Sequence, residues 1–270
     1  MSGAVARPGE RRAAGLSVRG LRASYGALEA LHGVDLDIPR TGVTLLLGRN
    51  GAGKSTLLNT IAGLRRPTEG TLDAFDSAPP EDASGNANRA VSLNGMSAAE
   101  LTRRGITLIP DRAGVFGRLS VAENLELFAR FTDGREAALE LFPELRERLR
   151  QRAGTLSGGQ QQMLALARAV LAPWRVLLVD ELAHGLAAGV AERCYATFAA
   201  MAAQDGAEGA TDGSAEPRGL RGPRCVVLAE PHGGAAWEIA DHVVVLRRGE
   251  VSFAGPRESA DPAVVDAAMD

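Results

Sequence analysis

The chain has 270 residues, of which 45% are hydrophobic, and a formal net charge of −3. This length suits one α/β domain with a smaller subdomain, and the mild acidity argues against a nucleic-acid-binding protein that relies on a broad basic face. The two cysteines, Cys194 and Cys225, are far apart in the chain and suggest neither a disulfide framework nor a cysteine-based zinc site. Two arginines and a proline interrupt the most apolar long window, residues 163–179, so no membrane span is expected.

The chain begins with residues 1–14, which carry three arginines but no long apolar run. This pattern predicts a flexible tail and not a secretory signal. Leu16 to Tyr25 and Leu31 to Ile38 then alternate between apolar and polar residues, which predicts a pair of antiparallel strands. Tyr25 ends the first strand, where an aromatic ring can stack on a nucleotide base. A strand-end tyrosine without that role fits the spacing equally well.

A glycine-rich loop follows the apolar strand 43–47 and precedes a helix. Its residues, Gly48-Arg49-Asn50-Gly51-Ala52-Gly53-Lys54-Ser55-Thr56, fit the P-loop pattern G-x-x-x-x-G-K-[ST]. The glycines let backbone N–H groups face a polyphosphate, and the Ser55 hydroxyl can bind Mg²⁺. Lys54 is the only lysine among the 30 basic residues. Because a planar guanidinium does not replace a compact ammonium at the outer phosphates, we predict that Lys54 is required for function.

Two polar stretches, residues 74–96 and 204–223, interrupt the pattern of strands and helices. Both are poor in large apolar side chains, which predicts flexible surface insertions. Between them, Ser97 and Glu100 form a capping-box pattern at the start of a short helix. Apolar residues recur at helical spacing within residues 112–155, which predicts a helical subdomain inserted into the α/β chain.

A second motif, Leu156-Ser157-Gly158-Gly159-Gln160, opens a helix that leads into the apolar strand 176–179. Asp180 and Glu181 follow this strand, at the edge where open α/β sheets place their chemistry. The P-loop, the LSGGQ motif and the acidic strand end, in this order, resemble the ABC ATPase family. Within that family, residues 16–255 apart from the two insertions look like the ATP-binding subunits of branched-chain amino acid importers. The similarity is closest over residues 141–145, 151–159, 161–165 and 185–187.

The resemblance implies an α/β fold: a P-loop NTPase (RecA-like) core with an antiparallel β subdomain and an inserted α-helical subdomain. It implies an ABC ATPase domain over residues 15–255 and a C-terminal tail over residues 256–270. It also implies an ATP-hydrolysing enzyme that uses ATP and Mg²⁺. The implied nucleotide contacts are Tyr25, Gly48, Arg49, Asn50, Gly51, Ala52, Gly53, Lys54, Ser55, Thr56 and Asp111.

Particular roles also follow from the resemblance. Ser55 and Asp180 would hold Mg²⁺, and Glu181 would polarise the attacking water. Leu156, Ser157, Gly158, Gly159 and Gln160 would contact the ATP that is bound by a second ATPase subunit. The implied partners are therefore a second ABC ATPase subunit, transmembrane permease subunits and, indirectly, an extracytoplasmic solute-binding protein, with this chain on the cytoplasmic face of the membrane. ATPases for urea and other polar solutes share much of the pattern, so the transported solute is only an analogy.

The chain departs from the family pattern at several positions. Asp111 stands where most members have a glutamine, although relatives in this importer group often have an acid there. The usual switch histidine falls on Pro231, which cannot transfer a proton, with His232 as the next candidate. Leu182 replaces a common proline, and Ala187 replaces a common aspartate.

Three functions therefore remain open at this point. Glu181 favours an ATP-hydrolysing importer subunit. Pro231 and Asp111 favour a degenerate, mainly ATP-binding subunit whose partner carries out hydrolysis. An ABC ATPase that acts in DNA repair or on ribosomes is the third alternative, but paired cassettes, a long coiled coil and basic arms are all missing from the sequence.

Overall fold

The computed structural model describes residues 14–75, 90–111, 114–129, 135–203, 223–261, 263 and 265. The predicted tail before Ala14 and residues 76–89 and 204–222 of the two predicted insertions lie outside the described residues. The strands are β1 (Ala14–Tyr25), β2 (Leu28–Pro39), β3 (Gly42–Leu47), β4 (Glu69–Phe75), β5 (Ala90–Ser92), β6 (Ile106–Ile109), β7 (Val176–Asp180), β8 (Cys225–Glu230), β9 (His242–Arg247) and β10 (Glu250–Pro256). The α-helices are α1 (Lys54–Ile61), α2 (Ala98–Arg103), α3 (Val121–Ala129), α4 (Arg135–Leu141), α5 (Gly158–Leu171), α6 (Ala188–Ala203) and α7 (Gly234–Ile239).

The first sheet has four strands in the order β2-β1-β4-β5, and all its neighbouring strands are antiparallel. Its apolar residues alternate along each strand and face one core. Leu16, Val18, Leu31, Val34 and Ile38 are all fully buried in that core. The antiparallel strand pair predicted from the alternation is therefore confirmed, with β2 starting three residues earlier than expected.

The second sheet has six strands in the order β10-β9-β3-β8-β7-β6. The five strands β9, β3, β8, β7 and β6 run parallel to one another. Strand β10 pairs antiparallel with β9 at one edge of the sheet. The sequence of β3, β7 and β8 is almost continuously apolar because both faces of these strands are covered. Parallel strands bring their carboxyl ends to the same edge of the sheet. The P-loop after β3, Glu181 after β7, Pro231 after β8 and Asp111 after β6 consequently lie at one edge.

The helical part between β6 and β7 packs against α5. Residues Pro143–Arg148 and Ala153–Thr155 add two short 3₁₀ helices to α3 and α4. Leu125, Phe142 and Leu145 are fully buried in the same core as Leu164 of α5. Helical structure is confirmed here for the described residues, whereas the predicted extent of the subdomain, residues 112–155, stays a prediction.

Some predicted boundaries are wrong. Residues 74 and 75 belong to β4, and residues 90–92 form β5, because Leu93 is buried and its N–H donates to the Leu72 carbonyl at 2.8 Å. The predicted C-terminal tail also starts too early, since Ala260 and Val265 are 5% and 3% exposed in the main core. A few buried apolar residues anchor these segments, and composition alone does not reveal their contacts. Within the described ranges, the helices all lack the length and apolarity that crossing a membrane requires.

Candidate active site

The P-loop lies between β3 and α1, and close packing fixes its shape. A Cβ atom on Gly48 would lie 2.3 Å from the Leu246 carbonyl oxygen of β9. Gly53 has a φ of +107°, and a Cβ there would lie 2.9 Å from the Ala30 carbonyl oxygen of β2. These two positions therefore require glycine, and the loop is held between both sheets. The remaining predicted loop residues lie on the same turn and the start of α1: Arg49, Asn50, Gly51, Ala52, Ser55 and Thr56.

Lys54 is the first residue of α1 and is only 5% exposed. Its Nζ donates to the Gly48 carbonyl at 2.5 Å and to the Arg49 carbonyl at 3.4 Å. Burial lowers the pKa of the ammonium, and the negative charges of Glu181, Asp180 and Glu230 oppose that shift. The only lysine of the chain thus lies inside the loop, within electrostatic reach of the acids at the sheet edge.

Asp180 and Ser55 form a site that suits a hard cation. Asp180 ends β7, is 6% exposed and accepts a hydrogen bond from the Ser55 side chain. Burial raises the pKa of its carboxyl group. Its Oδ1 is buried without a hydrogen-bond partner among the described residues. An unpaired buried carboxylate oxygen is costly, and Mg²⁺ binds through carboxylate and hydroxyl oxygens. The residues present therefore fit the predicted metal.

Glu181 has an unusual backbone conformation for a residue with a side chain. Its φ is +51°, in the left-handed region that non-glycine residues rarely adopt. The conformation is fixed because its N–H donates to the Ala229 carbonyl of β8 at 2.9 Å. Such strain typically costs about 1–3 kcal/mol and concentrates at functional positions. The strained turn places the carboxylate at the sheet edge, next to Asp180.

Asp111 and Glu181 both lie close to His184, a residue that the sequence analysis did not single out. His184 Nδ1 lies 2.5 Å from Asp111 Oδ1 and 3.6 Å from Glu181 Oε2. One ligand atom from each of the three side chains lies within 4.8 Å of the others. We call Asp111, Glu181 and His184 the acid–histidine cluster. The only sequence signal was the position of His184 three residues after Glu181.

The end of β8 contains a second buried acid, Glu230. Its Oε1 accepts a hydrogen bond from the Tyr195 hydroxyl of α6 at 2.8 Å. The backbone N–H groups of Leu182 and Ala183 also donate to it, and burial raises its pKa to about 6. Glu230 therefore fixes the loop that carries Glu181 and His184. Sequence reasoning missed this role as well.

The predicted switch residue, His232, is not drawn into the cluster. It is exposed and, in the part of the chain that the structure describes, has no hydrogen-bond or ion-pair partner. Pro231 precedes it in a bend directly after β8. The histidine that contacts Glu181 in this structure is His184 and not His232.

The signature residues open α5 with a capping box. Ser157 Oγ accepts the Gln160 N–H at 3.4 Å, and the Gln160 side chain accepts the Ser157 N–H at 3.2 Å. Leu156 is buried, whereas Ser157 and Gly158 are exposed. The N-terminus of this 14-residue helix is thus open to an anion from outside the chain. A Cβ on Gly159 would lie 2.5 Å from the Gly185 carbonyl oxygen, so the signature touches the loop after Glu181.

Tyr25, the predicted stacking residue, lies beside the last residue of the P-loop motif. Its hydroxyl is 3.5 Å from Thr56 Oγ1, and the residue is 46% exposed. The Arg65 guanidinium lies over the ring, 3.4 Å from its centroid. A base that stacks on Tyr25 therefore needs the face opposite Arg65.

Comparison with known proteins agrees with this geometry. A family model described as ABC transporter matches residues 31–184, more than half of the chain. The high-affinity branched-chain amino acid transport ATP-binding protein BraG of Pseudomonas aeruginosa is 35% identical, over 84% of this chain and 86% of its own. The probable branched-chain amino acid transport ATP-binding protein LivF of Archaeoglobus fulgidus is 33% identical, over 87% and 89%. Ribose import ATP-binding protein RbsA 2 of Rubrobacter xylanophilus is 30% identical over 95% of this chain, which spans 46% of that protein.

Solved structures show the same fold. A nucleotide-free ATP-binding cassette from an ABC transporter superposes with a TM-score of 0.68 at 22% identity, covering 93% of this chain and 97% of that one. A dimeric cassette bound to ADP and phosphate gives a TM-score of 0.67 at 22% identity, covering 90% and 98%. The predicted P-loop NTPase fold is confirmed. Together with the family model and the two relatives above, it shows that the chain belongs to the ABC transporter family as an ATP-binding cassette ATPase.

Proposed function

We propose that this chain hydrolyses ATP to power an importer that takes up branched-chain amino acids, or a similar small polar solute, through partner permease subunits. The observation that carries the proposal is the Oδ1 of Asp180, which has no hydrogen-bond partner among the described residues. The same carboxylate accepts a hydrogen bond from Ser55 and lies within electrostatic reach of Lys54 and Glu181. This arrangement supplies a metal site, a phosphate-binding cation and an acid at one sheet edge. The names of BraG and LivF support the solute class, and the ribose relative argues that related chains serve other solutes.

The residues of this chain have separable roles in hydrolysis. Ser55 and Asp180 would hold Mg²⁺, which neutralises charge on the phosphates when bound. Lys54 and the N–H groups of the P-loop bind and orient the outer phosphates. Glu181 accepts a hydrogen bond from the attacking water and orients it. Positioning and charge stabilisation then provide most of the rate acceleration.

A closed dimer completes the site in this proposal. Ser157, Gly158 and Gly159 are at the open N-terminus of α5 and reach the ATP of a second ATPase subunit. Phe116 and Leu127, which follow Asp111, are exposed at 50% and 38%. The permease would contact the helical part of this chain, on the cytoplasmic face of the membrane, where these two apolar side chains are accessible to a partner. The extracytoplasmic solute-binding protein would act only through that permease.

Phosphate release tests the hydrolytic function directly. We expect the wild-type subunit, assembled with its permease, to release phosphate from ATP only when Mg²⁺ is present. Glu181→Gln should lower the rate at least tenfold while ATP binding, measured by calorimetry, is retained. A Gln variant with the wild-type rate would contradict the role given to Glu181. The solute class is tested by ATP-driven uptake of labelled leucine, valine and urea into proteoliposomes.

A second candidate function is a degenerate subunit that mainly binds ATP. It is favoured by Pro231 at the position of the usual switch histidine and by the exposed, unpaired side chain of His232 within the described residues. In a heterodimer, the signature of such a chain would contact the ATP bound by the partner. Hydrolysis would then take place at the partner's site.

A further inference from the structure

We infer that the acid–histidine cluster binds a divalent transition-metal ion of the Zn²⁺ class and that this ion withholds the carboxylate of Glu181 from catalysis. The binding step depends only on Asp111, Glu181 and His184. The inhibitory consequence rests on the proposed function, because it requires Glu181 to act on the attacking water.

The geometry of the cluster suits three protein ligands on one ion. Zn²⁺ bound by nitrogen and carboxylate oxygen at about 2.0–2.2 Å in tetrahedral geometry requires donor atoms roughly 3.3–3.5 Å apart. His184 Nδ1 lies 3.6 Å from Glu181 Oε2 and 2.5 Å from Asp111 Oδ1, and the three donor atoms lie within 4.8 Å of one another. Side-chain movements of about an ångström would therefore bring all three donors into range.

The backbone supports this arrangement, while the side chains remain accessible. Glu181 is held by its bond to Ala229, and the loop that carries His184 is held by Glu230. The side chains of His184, Asp111 and Glu181 are 44%, 28% and 26% exposed. An ion can therefore enter from solvent, and a fourth coordination position stays open for water, as in three-ligand zinc sites.

The donor set selects a metal other than Mg²⁺. Mg²⁺ prefers oxygen donors and retains its water, whereas imidazole nitrogen favours Zn²⁺ and neighbouring transition metals. The pair that fits Mg²⁺, Ser55 and Asp180, consists only of oxygen donors and does not include His184. One edge of the sheet would thus hold two neighbouring cation sites of different chemistry. Asp180 would belong to the Mg²⁺ site, and the next residue, Glu181, to the transition-metal site.

Binding to the nucleotide-free subunit provides the first test. After metals are removed by chelation, calorimetry with Zn²⁺ and the absorption spectrum with Co²⁺ should reveal one site per chain. His184→Leu should weaken Zn²⁺ binding at least tenfold and remove the Co²⁺ absorption band. His32→Leu is the matched control, since His32 also contacts one carboxylate, that of Glu29, at 3.2 Å. Equal Zn²⁺ affinity in wild type and His184→Leu would overturn the site.

Inhibition provides the second test. With saturating Mg²⁺ and ATP, buffered free Zn²⁺ should lower phosphate release by the wild-type complex at least fivefold. The His184→Leu complex, compared with its own zinc-free rate, should resist the same concentration. If Zn²⁺ inhibits both complexes equally, inhibition does not act through this site and the regulatory inference is wrong. A subunit that binds Zn²⁺ through His184 but never hydrolyses ATP would support the site and refute the proposed function.

Discussion

Asp180 and Glu230 end neighbouring strands, β7 and β8, and burial raises the pKa of both carboxyl groups. They differ in their hydrogen bonds. Glu230 accepts from Tyr195 and from two backbone N–H groups, whereas Asp180 keeps one oxygen unpaired among the described residues. Buried polar groups with full hydrogen bonding stabilise a single conformation, and those without it are available for a ligand. Glu230 therefore organises the loop, and Asp180 is available to hold a cation.

Glu230 should make the stability of the chain depend on pH. Its pKa is raised from the ordinary value of 4.5 to about 6, so the folded state binds this proton more tightly than the unfolded state does. The resulting stabilisation is complete below pH 4.5 and is lost as the pH rises through about 6. Relative to Glu230→Gln, the wild type should lose about 2 kcal/mol between these limits. Urea unfolding at pH 4.5 and pH 7 measures this difference.

The control for this prediction is Glu192→Gln, which changes an exposed glutamate of α6. It should retain the pH dependence of the wild type. If Glu230→Gln and wild type show parallel pH profiles, the proton on Glu230 has no role in stability.

ATP binding should depend on Lys54. Replacement by alanine removes the ammonium that lies inside the P-loop, and ATP affinity measured by calorimetry should fall at least tenfold. Lys54→Arg should also weaken binding, because a planar guanidinium does not fit where Nζ lies 2.5 Å from the Gly48 carbonyl. Arg103→Ala, which removes a positive charge from α2, is the control and should bind ATP normally. Unchanged affinity in Lys54→Ala would remove the P-loop as the basis of nucleotide binding.

At the scale of elements, the start of α5 packs against the loop after β7. Gly159 meets the Gly185 carbonyl so closely that a side chain there would lie 2.5 Å from it, whereas a Cβ on the adjacent Gly158 has open space within 4 Å. The two glycines of the signature thus have different structural roles. Gly159 maintains a contact within the chain in addition to its place at the open helix end, whereas Gly158 has only open space around it.

Alanine substitutions should separate these roles. Gly159→Ala forces the helix and the loop apart, so we expect it to lower the free energy of unfolding by about 1–3 kcal/mol, as overpacking does. Gly158→Ala should change it by less than about 0.5 kcal/mol, since the new methyl group contacts nothing. Chemical denaturation of both variants measures the difference. Equal stabilities would mean that the contact between Gly159 and Gly185 does not constrain the fold.

Local motifs explain which of these elements could be predicted. The P-loop, the signature helix and the strand that ends at Asp180 are each encoded in a continuous stretch of sequence. These motifs and their order were sufficient to predict the fold. The acid–histidine cluster was predicted only in part. The resemblance assigned Asp111 and Glu181 to the site, but no motif includes His184, which contacts Asp111 across 73 positions of sequence. The bond between Tyr195 and Glu230 spans 35 positions in the same way. The register of the parallel sheet brings Asp111 to the loop after β7, and the packing of α6 against the sheet brings Tyr195 to Glu230.

For the whole molecule, the open end of α5 predicts that activity requires a second cassette. In a heterodimeric complex, Ser157→Arg should disable the partner's ATP site, and Glu181→Gln should disable the site on this chain. Our leading proposal predicts that Glu181→Gln reduces steady-state phosphate release at least as much as Ser157→Arg does. A clearly larger loss with Ser157→Arg would favour the degenerate subunit. Ser97→Arg, at the cap of α2, provides a control for a bulky charge at a helix start.

The contact between Gly159 and Gly185 has a thermodynamic consequence for such a dimer. It joins the surface that would bind the partner's nucleotide to the loop that carries Glu181 and His184 of this chain. A ligand that shifts one side of this contact would therefore alter the binding free energy at the other. Linkage is reciprocal, so each ATP would change the affinity for the other by the same factor. Because Gly159 and Gly185 have no side chains, the two segments pack closely enough for ATP binding at one site to affect ATP binding at the other.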